Sequence, residues 1–269
     1  MKCRDGLRCA FLASAGLLAF PLMAQHTSRT HELPVDYANG LVGTAPLDQQ
    51  ALIGNAPPPG EQLYSGFTTP GAVLPHSSTL LAPINANLDT SYPAGVSYPY
   101  FYPNRMMMGF SIEAEGGPTV MPIAGDWTVP PQRSASVYDK SREKSSPGYY
   151  SGYLDDYRTL AEMTATTWTG MFRFTFPQTQ KAHILIDLGS DGGEIEVLGD
   201  HTVRGQSRDH RYFVAEFSKP FRLFGTFRQI LPQHADPGAL IGFSDVAPDL
   251  RTISGGFAGA YLSFSTRQG

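Results

Sequence analysis

The chain has 269 residues, of which 41% are hydrophobic, 12% aromatic and only 16% charged, and its formal net charge is −4. That balance excludes a disordered chain. Without a basic patch interleaved with aromatics, it also excludes a nucleic-acid partner.

Lys2, Arg4 and Arg8 precede an apolar run from Ala10 to Met23, and Ala24 supplies a small residue for cleavage. The run is too short to span a bilayer with its flanks. Residues 1–24 read as a secretory signal, so a secreted or periplasmic protein is expected, with an uncleaved anchor as the alternative. Both cysteines, Cys3 and Cys9, fall inside this segment. The mature chain would then hold no disulfide, no thiol nucleophile and no thiolate metal site. Removing the net +2 of the signal leaves −6, and no later apolar run is long enough to cross a membrane.

From about residue 33 to the end the chain reads as one domain. Val35 to Thr44 opens a first strand and turn. Residues 45 to 76 are rich in loop formers, among them Pro57-Pro58-Pro59-Gly60 and Pro70-Gly71. Leu80 to Ile84 is a strand punctuated by Pro83. Between Tyr92 and Pro103 four tyrosines stand among three prolines, a density that bars a central strand and places them on a rigid loop or an edge. Met106 to Ser111 and Thr119 to Met121 are the next strands, closed by Gly125-Asp126-Trp127.

Pro147-Gly148 is a turn, because proline presets φ and glycine accepts φ > 0. Tyr149 to Tyr153, Leu160 to Thr167 and Met171 to Phe176 then alternate with period two, the signature of strands. Ile184 to Leu188, Ile195 to Leu198, Arg211 to Phe217, Phe221 to Arg228 and Phe257 to Phe264 follow, with turn chemistry between most of them. The predicted fold is all-β, an antiparallel β-sandwich with little or no helix.

Chemistry is sparse. The seven histidines show no zinc spacing, and no nucleophile elbow or phosphate loop occurs. His183 begins a strand and reads as structural. Asp155-Asp156 reads as a turn cap, and Asp187 to Glu194 as a hairpin turn without the ligand alternation of a calcium loop. Asp126-Trp127 and the tyrosines Tyr92 and Tyr98 suit a sugar, whose C–H face stacks on aromatic rings. From the residues alone, a core rim or a domain interface is the better account of the same aromatics.

Several blocks in order resemble the N-terminal domain of glycoside hydrolase family 92, the exo-acting α-mannosidases. They are Thr69-Pro70-Gly71-Ala72, Gly109-Phe110-Ser111, Ser146-Pro147-Gly148-Tyr149-Tyr150, Ala161-Glu162-Met163-Thr164, Tyr212 to Phe221 and Gly259 to Thr266. The resemblance implies a supersandwich-like domain, packed on a helical (α/α)₆ domain that supplies the catalytic acid and base and the calcium ligands. This sequence stops at Gly269, before any of them, so no catalytic residue and no cofactor is assigned within it.

Two details follow from the resemblance. Where many members carry a His-rich segment after Gly-Phe-Ser, Ile112 to Gly117 stands here. The implied partners are α-mannosides, mannose-rich glycans and the helical domain, with Tyr92, Tyr98, Asp126 and Trp127 as the contact residues. The alternatives are a free-standing carbohydrate-binding or interaction module, and an enzyme active on its own through an unrecognised site.

Overall fold

In the computed structural model, residues 33–42, 70–87, 97–98, 105–112, 117–127, 134–189, 192–207, 211–230 and 242–266 are described. The chain divides at Leu33, and the elements below belong to the second unit, Pro34–Gly269.

Seventeen strands are described, all paired antiparallel, in three sheets. The largest has nine strands. They are β1 (Ala72–Val73), β2 (Leu80–Asn87), β3 (Ser97–Tyr98), β4 (Arg105–Ser111) and β5 (Thr119–Ala124), with partners from later in the chain. β6 (Lys144–Ser146), β7 (Tyr149–Leu154), β8 (Thr159–Ala165) and β9 (Gly170–Thr175) form a meander of their own. β10 (Thr179–Asp187) returns to pair with β5.

β11 (Gly193–Leu198), β12 (Thr202–Ser207) and β13 (Tyr212–Glu216) begin the third sheet. β14 (Leu223–Ile230) and β15 (Gly242–Pro248) join the large one. β16 (Thr252–Gly255) completes the third sheet beside β11, and β17 (Ala258–Thr266) lies between β10 and β14. The large sheet runs β1-β2-β4-β5-β10-β17-β14-β15, with β3 also on β2.

The large sheet is the middle layer of three. Alternation along each strand divides its side chains between two cores. Ile184 and Ile186 join Ala260, Leu262, Phe264, Ile195, Val197 and Val203 in the core shared with β11–β12. Leu185 points the other way, with Met121, Ile123 and Phe110, against Tyr150, Leu154, Ala161 and Met163 of β7–β8. Covered on both faces, β10 is buried almost continuously from Ala182 onward. This is why His183 to Leu188 carries so little polar alternation.

The predicted strand at Val35–Thr44 is corrected. Pro34–Tyr37 is a short 3₁₀ turn, with Ala38 N–H donating to Val35 C=O at 3.1 Å. Proline at its first position has the φ a helical turn needs and no N–H to lose. The only other helical element among the described residues is the 3₁₀ turn Lys140–Arg142, capped by Asp139. Four strands lie where none was predicted, β6, β12, β15 and β16, and β3 forms on the segment expected to be a loop or an edge.

The turn cap expected of Asp155-Asp156 is corrected: Asp156 Oδ2 accepts from Val137 N–H at 2.9 Å, nineteen residues earlier, and Asp155 pairs with Arg142 at 2.7 Å, so both tie the turn to a neighbouring segment. Asp187 Oδ1 likewise accepts from Gly189 N–H at 3.0 Å in the turn that follows β10.

Candidate functional site

β5 ends at Ala124, and Gly125, with φ 112°, turns the chain outward. Asp126 is left exposed and Trp127 folds back onto the large sheet. The Trp127 ring lies 5.0 Å from that of Tyr261 and 5.5 Å from that of Phe227, the latter edge to face. Both partners occupy places left open by glycine. A Cβ on Gly225 would come within 2.6 Å of the Tyr261 ring, and one on Gly259 within 2.6 Å of Phe227. Register explains the arrangement, because Tyr261 pairs with Gly225 and Phe227 with Gly259. Each aromatic lies across its neighbour's bare backbone, and Trp127 covers the pair.

Register also shows where the covering layer stops. One row across the sheet reads Met121, Leu185, Tyr261, Gly225, Pro248. Met121 and Leu185 are fully buried under the β6–β9 sheet, Tyr261 is half-buried and Pro248 is exposed. The neighbouring rows end in Leu223, 63% exposed, and Val246, 42% exposed. Among the described residues, this half of the face has Trp127 as its cover and apolar side chains at its margin.

Polar groups share the row that ends in Leu223, which reads Ile123, His183, Ser263, Leu223. Lys181 Nζ pairs with the Asp126 carboxylate. Both side chains are largely in water, so the pair stabilises little. Next along β10, His183 Nδ1 lies 2.8 Å from Ser263 Oγ. Burial pushes the His183 pKa below its ordinary value, against the opposing pull of the Gly125 backbone and Asp126. A neutral imidazole held this way is a structural group, as its place in the sequence suggested. Burial, with a contribution from Asp249, raises the Tyr261 hydroxyl. It is a hydrogen-bonding group at neutral pH and not a base.

Asp126 and Trp127 are thus adjacent at one site. Tyr98 enters through its backbone, pairing with Asn85 at the β3 edge of the sheet. This agrees with the expectation of a loop or edge. Tyr92 lies outside the described residues. Sequence reasoning missed Lys181, Phe227 and Tyr261. A signal for two of them is present: Gly225-Thr226-Phe227 and Gly259-Ala260-Tyr261 share a Gly-x-aromatic spacing, and antiparallel pairing makes the two complementary.

Glycoside hydrolysis needs two carboxyl groups facing across the scissile bond. The carboxylates best placed in the described structure are engaged otherwise. Glu143 accepts from Tyr150 Oη in the core, Glu162 holds Arg173 and Tyr149, and Glu196 holds Arg204. Among the described residues no three His, Cys, Asp or Glu side chains gather where a metal ion would sit. A groove of 450 Å³ between Asn39, Gly40, Leu74 and Ser145 is lined by no titratable side chain.

This three-layered antiparallel β fold, with an aromatic patch on its middle sheet, can be set beside known proteins. Residues 39–269 match the glycosyl hydrolase family 92 N-terminal domain, and the chain belongs to that family. Among solved structures it is similar to the family GH92 α-mannosidase BT3965 from Bacteroides thetaiotaomicron. That likeness has 25% identity and a TM-score of 0.63, covering 87% of this chain and 32% of that one. The inverting mannosidase BT2199 from Bacteroides thetaiotaomicron VPI-5482 shares the fold at 21% identity and a TM-score of 0.64, covering 87% of this chain and 30% of that one. No curated protein matches the chain. The chain spans about a third of the length of BT3965.

Proposed function

We propose that this chain is the non-catalytic N-terminal β-sandwich of a secreted α-mannosidase-like glycoside hydrolase. In this reading it packs on a helical catalytic domain and lends aromatic contacts to carbohydrate at the rim of that domain's pocket. One observation carries the proposal. The large sheet is fully covered on one side of Trp127, while on the other Leu223, Val246 and Pro248 face outward. An apolar margin that continues a buried core is the form of an interface awaiting a second layer. Burying side chains of the size of Leu223 and Val246 contributes about 1.5–3 kcal/mol each.

The acid, the base and any calcium ligands belong in this reading to the helical domain. Residues 1–24 would direct export. Trp127, held by Tyr261 and Phe227, is a rigid edge for a mannoside to meet and loses little entropy when it does.

The test is a titration of the mature chain with an (α/α)₆ domain of a family 92 mannosidase. Saturable binding that Leu223→Asp weakens about tenfold or more is expected. A flat titration, or a Leu223→Asp chain that binds like wild type, would count against the proposal. In the joined protein, Trp127→Ala should raise KM for α-mannosides more than it lowers kcat.

A further inference from the structure

The third sheet runs β13-β12-β11-β16, so β13 is an edge. Edges that face water are usually guarded by lysine, proline, a bulge or extreme shortness. The described structure shows such guards elsewhere: β6 carries Lys144 and has three residues, β1 has two, and β15 ends in Pro248. β13 reads Tyr-Phe-Val-Ala-Glu, five residues without lysine, proline or bulge, and its one charge, Glu216, stands at its end. Tyr212 is 73% exposed and Val214 67%.

The ladder to β12 fixes which backbone groups point outward. Arg211 C=O accepts from Ser207 N–H at 2.9 Å, and Phe217 N–H donates to His201 C=O at 2.8 Å. Those odd-numbered positions bond inward. By the alternation of an antiparallel ladder, the N–H and C=O of Tyr212, Val214 and Glu216 point away from β12. Their side chains share the solvent face of the sheet, while Phe213 and Ala215 turn toward the core.

We infer that β13 is a self-association edge whose occupant is the β13 of a second copy of this chain. The partner copy lies antiparallel about a two-fold axis through Val214. That register is the self-complementary one. Val214 meets Val214, and the three outward pairs are hydrogen-bonded ones. At each end, the Tyr212 hydroxyl stands opposite the Glu216 carboxylate of the other copy. Phe213 meets Ala215 on the inner face, a large ring against a small side chain. The two third sheets become one continuous sheet, closed by the two-fold, with no further edge created on that side. Isologous pairing of this kind requires nothing from any other domain, so it does not depend on the function proposed above.

One short strand pair is a small interface, and the dimer should be weak, with a dissociation constant on the order of 100 µM. Sedimentation velocity of the chain, from about 5 µM to about 500 µM, reads this directly. Wild type should move from monomer to dimer over that range. Val214→Lys, at an exposed position that leaves the β12 ladder intact, should keep the chain monomeric throughout. Tyr212→Glu, which places like charges opposite each other, should weaken the dimer about tenfold, and Tyr212→Lys should preserve it. A wild-type chain that stays monomeric to the highest concentration overturns the inference. So does a dimer that Val214→Lys leaves unchanged. If Tyr212→Glu and Tyr212→Lys act alike, the proposed register is wrong and the inference fails with it.

Discussion

His183 shows how burial decides the chemistry of a side chain on this face. Its imidazole sits against Ser263 and the Gly125 backbone, and burial lowers its pKa from 6.5. The folded chain therefore favours the neutral ring, while the unfolded chain takes up a proton as pH falls through 6.5. Stability contributed by a neutral His183 is present above that value and is lost on acidification. Glu162 acts in the same direction at lower pH. The Arg173 guanidinium, first, and the Tyr149 hydroxyl hold its carboxyl below the ordinary 4.5, so its contribution is also lost as pH falls. Urea unfolding of His183→Gln at pH 7 and pH 5 should show a smaller acid-induced loss than wild type. Equal losses would mean that the histidine titrates freely in the folded state. The sequence placed His183 at a strand start, whereas β10 begins four residues earlier at Thr179, and its structural role comes from burial in mid-strand. Its partner Ser263 was not legible, because eighty residues separate them.

Among the elements, β14 and β17 are joined by the reciprocal fit of aromatic and glycine. A Cβ on Gly259 would collide with the Phe227 ring and lie 2.6 Å from the Ile186 carbonyl oxygen. Neither neighbour can retreat, since Phe227 is fully buried beneath Trp127 and Ile186 belongs to the central strand. Gly259→Ala should therefore cost about 1–3 kcal/mol in urea denaturation. An unchanged midpoint would show that the two strands are less tightly fitted.

Period two revealed β8 and β9 because Ala161, Met163 and Ala165 alternate with Glu162 and Thr164, and Phe172 and Phe174 with Met171, Arg173 and Thr175. β12, Thr-Val-Arg-Gly-Gln-Ser, escaped notice for the opposite reason. Its central glycine makes room for the ring of Phe213, and Val203 is its one apolar side chain, among Thr202, Arg204, Gln206 and Ser207. β15 and β16 show no sustained alternation either, and their strand character comes from the neighbours they pair with.

At the scale of the whole molecule, three layers share one middle sheet. The large sheet threads strands from the first half of the chain beside strands from the second, with β5 against β10 and β10 against β17. No local pattern announces such pairings. The sandwich class was readable, but the division into two cores on either side of Ile184, Leu185 and Ile186 emerges only from the register. The candidate site was half legible. Asp126-Trp127 stood out as a sequence pair, whereas the half-covered sheet that gives Trp127 its meaning is built from β14, β15 and β17.

In the proposed function this domain supports a glycoside hydrolase and leaves the hydrolysis to the helical domain. Release of mannose from an α-linked mannoside, with calcium present, tests it most directly, for the chain alone and again with the helical domain added. The chain alone should release none, and activity should appear only with the helical domain and fall when Leu223→Asp weakens the union. Sustained turnover by the purified chain alone would contradict the claim and place the reacting carboxylates within these 269 residues.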